Sequence, residues 1–174
     1  MRKNAVEPAW PDLSSPVLGP TMQTLQLWTQ VVGKVRLAHT PWLNHSWQTA
    51  LYVSARGLTT RLIPVGSKGL EIEFDLVAAV LVIRVTDGNE RRLPLGPGSL
   101  ATFHYAVMGA LADLGAPTKI VAIPNELAEA TPFAQDVRPR PYDAEVARAY
   151  WRALVQIDRT LNRFRTRFLG KCSP

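Results

Sequence analysis

The 174-residue chain is 47% hydrophobic and 20% charged, which is enough apolar material for one packed core and too much for global disorder. No apolar run reaches the roughly 18 residues of a membrane span. No apolar stretch follows Met1-Arg2-Lys3 as in a secretory signal, and a lone cysteine, Cys172, leaves no internal disulfide, so a soluble, cytoplasmic protein without a membrane partner is expected. The net charge of +6 is uneven: residues 1–135 hold 11 Lys/Arg against 10 Asp/Glu, whereas residues 136–174 hold 9 against 4.

Four prolines and no hydrophobic period mark residues 1–20 as an extended arm, leaving 21–174 as a single domain. Thr21 has the character of an N-cap, and Met22, Leu25, Trp28, Val32 and Val35 recur at helical spacing up to Pro41. The next 50 or so residues carry strand patterns. Trp47, Thr49, Leu51 and Val53 alternate with polar or small neighbours, and Gly57 marks a turn into 58–64. Leu70, Ile72, Phe74 and Leu76 alternate with Glu71, Glu73 and Asp75, the cleanest period of two in the chain, which predicts a strand with one solvated face. Residues 80–85 are apolar on both faces and belong in the sheet interior. Asp87-Gly88 signals a hairpin into 91–95. Ser99 and Gly115 bracket a second helix, residues 119–123 read as a short strand, and the four prolines of 124–142 make a long loop. Asp143 caps a last helix whose stripe, Val146, Tyr150, Ala153, Ile157, Leu161, Phe164 and Phe168, is expected to be buried up to a stop at Gly170. The order predicts an α+β fold: a mainly antiparallel sheet of five to six strands with three helices largely on one face.

Leu27-Trp28-Thr29-Gln30-Val31-Val32-Gly33-Lys34, the run Thr40 to Trp47, Ala55-Arg56-Gly57-Leu58-Thr59-Thr60 and the ending Trp151 to Lys171 together resemble an uncharacterised bacterial family, a domain of unknown function. The resemblance covers most of the chain after residue 20 and carries no activity, cofactor or catalytic residue. It implies a further C-terminal segment, because members usually continue past the position of Pro174.

Two functional readings follow. The first is a small-ligand or enzymatic site at the tryptophan-histidine loop 41–47. Trp42 and Trp47 would line a pocket, Asn44 and His45 would supply directed hydrogen bonds, and Arg56 would bind a carboxylate or phosphate. Against it stands the expectation that both tryptophans are core and His45 satisfies a buried carbonyl. The alternative is a binding module for nucleic acid or an acidic protein partner through Arg148, Arg152, Arg159, Arg163 and Arg167; nucleic acid is possible but not favoured, because Phe164 and Phe168 should be buried and unavailable for stacking. Glu71, Glu73 and Asp75 could act as paired acids or hold a hard cation, but a solvated strand face explains them more simply. His39, His45, His104 and Cys172 have no metal-ligand spacing, and no phosphate loop or nucleophile elbow is present, so no metal and no cofactor is read from the sequence.

Overall fold

The computed structural model describes residues 10–170, except 126 and 129. Three α-helices, α1 (Leu18–His39), α2 (Leu100–Asp113) and α3 (Ala144–Arg165), accompany six strands: β1 (Tyr52–Val53), β2 (Gly57–Thr59), β3 (Ile63–Val65), β4 (Lys68–Asp75), β5 (Val80–Val85) and β6 (Glu90–Pro94). Every pairing is antiparallel, in the order β1-β2-β4-β5-β6, with β3 beside the first half of β4. This is the expected α+β architecture.

The alternation in β4 sends Leu70, Ile72, Phe74 and Leu76 to one face, where α1 and α2 cover them with Trp28, Val31, Val32, Phe103, Val107 and Leu111. Trp28 stacks on Phe103 at 5.0 Å and touches Tyr142 at 4.9 Å, tying both helices to the chain that leads into α3. Tyr142 is buried, and that burial pushes its hydroxyl up to about 12. β5 is interior as expected, flanked by β4 and β6, with Val82 fully buried on the far face.

Local chemistry explains the helix ends. Ser99 Oγ accepts the Thr102 N–H, Asp143 Oδ1 accepts those of Glu145 and Val146, and Gly115 at φ +70° closes α2. The long loop after α2 is held by Asp136, almost fully buried, which accepts from Arg138 Nε at 3.0 Å and from Arg140 Nη2. Arg140 also pairs with Gly98 through backbone hydrogen bonds.

Four expectations are corrected. First, α1 starts at Leu18, inside the supposed arm: Pro20 lies in its first turn, where an N–H has no helical partner to lose. Thr21 is therefore no cap; buried, it accepts the Asp143 N–H and joins the starts of α1 and α3. Second, residues 47–51 form no strand. His45 and Ser46 take left-handed conformations (φ 56° and 58°), residues 44–49 wind into 3₁₀ turns, and pairing begins only at Tyr52. Third, residues 119–123 alternate as foreseen, with Ile120 and Ala122 inward and Val121 exposed, but they join no ladder. Fourth, the second face of β4 is not solvated: Glu73 and Asp75 are buried and only Glu71 is half-exposed.

Candidate functional site

The residues of the 41–47 loop lie at the surface. Trp42 is 68% exposed, Asn44 and His45 are exposed, and Trp47 keeps 37% of its surface in solvent. Neither tryptophan is core, and His45 serves no buried carbonyl. The reason is local. The buried member of the segment is Gln48, whose Oε1 accepts the Leu43 N–H at 3.0 Å, so the left-handed pair His45-Ser46 turns its neighbours outward. His45 and Trp47 do come together, with ring centroids 6.0 Å apart. Arg56 has its own engagement, donating from Nε to Asp75 Oδ2 at 2.6 Å. Asp75 also accepts the backbone N–H groups of Val77 and Ala78. Burial would raise its pKa, and these donors, Arg56 first, hold it below the ordinary aspartate value.

Two of the three β4 carboxylates, Glu71 and Glu73, share Arg84, while Asp75 pairs with Arg56. Arg84, opposite Glu71 in the ladder, reaches Glu73 at 2.9 Å and Glu71 at 3.9 Å, and its Nε lies 3.6 Å from Glu90. Ser54 Oγ donates to Glu73 and Thr59 Oγ1 to Glu71. Glu71 and Glu73 thus each accept from a hydroxyl and lie beside the Arg84 guanidinium.

The histidines are dispersed. His39 bonds Thr118 Oγ1 at 2.8 Å, His104 is buried beside Phe133, and His45 is on the loop. Cys172 lies outside the described residues. Among the described residues no three metal-ligating side chains gather.

A groove lies elsewhere, about 740 Å³ in volume, between α1 and α3 and floored by the β1–β2 end of the sheet. Along α1 it runs from Met22 to Leu37, about 22 Å at 1.5 Å per residue. Leu25, Leu51, Leu58, Tyr150 and Leu154 supply apolar surface. Gln23, Gln26 and Gln30 recur along α1 as a wall of side-chain amides. At one end Gln30 exchanges two hydrogen bonds with the Asn125 backbone, at 2.7 and 3.1 Å, and Lys34 donates to Asn125 Oδ1 at 3.3 Å. Partial burial holds Lys34 below the usual lysine value, so its ammonium is short of solvent. Gly33 faces Thr49 across the groove, the only residue of the 44–49 turn that lines it. Trp42, Asn44, His45, Trp47 and Arg56 do not line it.

In the sequence the groove is masked by the apolar stripe of α1, which dominates the glutamines beside it. Their spacing of three and four residues was the available signal.

On α3 the arginines divide into two groups. Arg148 is half-buried, donating from Nη2 to the Val77 carbonyl at 2.6 Å, and Arg152 is half-buried beside it. Arg159, Arg163 and Arg167 are exposed. So is every residue from Ile157 to Gly170, including Phe164 and Phe168, which corrects the expectation that the whole stripe is buried. The first half of α3 docks through Ala147 and Ala153 and through the Trp151 Nε1 bond to the Ser54 carbonyl. Beyond it the helix leaves the body of the domain.

Among the described residues no helix is long and apolar enough to cross a membrane. No curated protein and no solved structure matches the chain. A family profile matches residues 10–174, and the chain thereby belongs to a family of unknown function, DUF5996.

Proposed function

We propose that the domain is a small-ligand binding module whose site is the groove between α1 and α3, and that it works in the cytoplasm. The observation that carries this reading is the composition of the groove walls: an apolar floor, a row of amides, and one partly desolvated ammonium at the end. Such walls suit an elongated ligand with an apolar body and an anionic or acceptor end at Lys34. Among the described residues the groove is lined by apolar side chains, amides, threonines and one lysine, a set suited to holding a ligand. The tryptophan-histidine loop then has a supporting part, placing Thr49 at the rim.

A fluorescent long-chain carboxylate tests the reading. It should bind the parent, bind about tenfold more weakly to Lys34→Ala, and fail to bind Gly33→Met, whose side chain enters the groove. Equal binding by all three proteins would refute it.

The nucleic-acid or acidic-partner reading keeps one supporting observation, the exposure of Arg159, Arg163 and Arg167 on the projecting half of α3. It predicts oligonucleotide binding that weakens steeply with salt. The absence of binding at low salt would remove its nucleic-acid form.

A further inference from the structure

We infer that the projecting half of α3 is a self-association surface, on which a second copy of the chain docks antiparallel. The apolar stripe does not stop where α3 leaves the domain. Ile157, Leu161, Phe164 and Phe168 are 42%, 57%, 73% and 56% exposed. Together with Tyr150 and Leu154, Ile157, Leu161 and Phe164 hold spacings of four and three residues from 150 to 164, and Phe168 follows just beyond the turn that ends the helix. This is the repeat of a coiled-coil seam. An amphipathic helix gains most of its stability by burying such a stripe, so a bare one needs a cover.

The flanks of the seam select the occupant. Asp158 and Arg165 lie seven residues apart on the same side of the stripe, one N-terminal to the seam's centre and one C-terminal to it. When two copies pair antiparallel, like flanks meet, and each Asp158 comes opposite the partner's Arg165, giving two opposite-charge contacts per dimer. Leu161 then packs against the partner's Phe164, with Ile157 at the ends of the seam and Phe168 just past the helix end. A parallel pair would bring unlike flanks together and leave Asp158 near Ala153, with no cation to meet. Arg159 and Arg163 point away from the seam, so the excess positive charge of α3 does not oppose the pairing.

The size is also adequate. The four side chains expose on the order of 500 Å² per copy, so pairing removes about 1,000 Å², the lower limit of a specific interface. The association should accordingly be reversible, with the monomer present at low concentration.

Sedimentation velocity on the whole 174-residue chain, over roughly micromolar to millimolar concentrations, is the test. The expected result is a concentration-dependent rise from the mass of one chain toward two. Leu161→Glu, at a position that touches nothing in the core, should abolish the rise while circular dichroism and Tm stay as in the parent. Asp158→Arg should weaken association at least tenfold, and the double swap Asp158→Arg with Arg165→Asp should restore it. A monomer at every concentration would overturn the inference. So would a dimer indifferent to Leu161→Glu, or a double swap as weak as the single one. Binding of oligonucleotide to the parent that is lost in Leu161→Glu, without any dimer, would overturn it in favour of nucleic acid.

Discussion

Gly33→Ala is the sharpest probe of the groove. Gly33 lies in the interior of a 22-residue helix, where glycine costs about 1 kcal/mol relative to alanine. The penalty would be structural only if a side chain could not fit. Here an added Cβ meets a single atom, the Thr49 carbonyl oxygen, at 3.8 Å, which is ordinary van der Waals contact. No compensating clash therefore offsets the gain. The variant should be more stable by close to 1 kcal/mol, which for a domain of this size raises Tm by about 2–4 °C. Paired thermal and urea unfolding measures it, with an unchanged urea m-value showing that the compactness of the denatured state is unaltered. A lower Tm would refute the reasoning, because it would mean that α1 and the 44–49 turn approach too closely at Gly33 for the groove to be open there.

Burial holds His104 below the usual histidine value of 6.5, so the unfolded chain takes up a proton before the folded domain does. Its contribution to stability is full above about pH 6.5 and is lost as pH falls below that; denaturant titrations from about pH 7 to pH 5 should show a slope that His104→Gln flattens, and an unchanged slope would assign the effect elsewhere. Asp136→Asn strips the long loop of the charge that Arg138 and Arg140 face and should cost about 3 kcal/mol, seen as a Tm drop of several degrees, whereas a loss below about 0.5 kcal/mol would mean that the loop is held by other contacts. Trp42→Ala should change stability by no more than about 0.5 kcal/mol in urea unfolding despite the size of the side chain, and a loss of about 3 kcal/mol would show that the ring is packed in solution.

Legibility followed the range of the forces involved. The caps at Ser99 and Asp143, the Asp87-Gly88 hairpin with Gly88 at φ +91° and the alternation of β4 are set by neighbours a few residues away, and all were readable. The periodicity of α3 was also readable, but periodicity reports a face and not what covers it. Val146 to Ala153 and Ile157 to Phe168 carry the same pattern, and only the first part meets the body of the domain. The far face of β4 failed similarly: alternating carboxylates suggest water, and the arginine that replaces water comes from β5. The groove is hard to read from the sequence because none of its residues is rare. Two tryptophans and a histidine in seven residues attract attention, while Gln30, Lys34 and Asn125 form one wall only when residues about 90 apart in sequence meet.

The outermost strand, β6, has a consequence for how copies of this molecule can meet. A free strand edge is a template for another chain's backbone, the usual route to uncontrolled sheet growth. β6 presents Glu90, Arg91, Arg92 and Pro94 in five residues, a density of charge and a missing N–H that discourage a further strand. At the opposite margin β1 is only two residues long with α3 against it, and β3, beside it along β4, is three residues long with Pro64 at its centre. The sheet is thus sealed at both margins, and traffic between copies is directed to the helices, where side chains rather than backbone choose the partner.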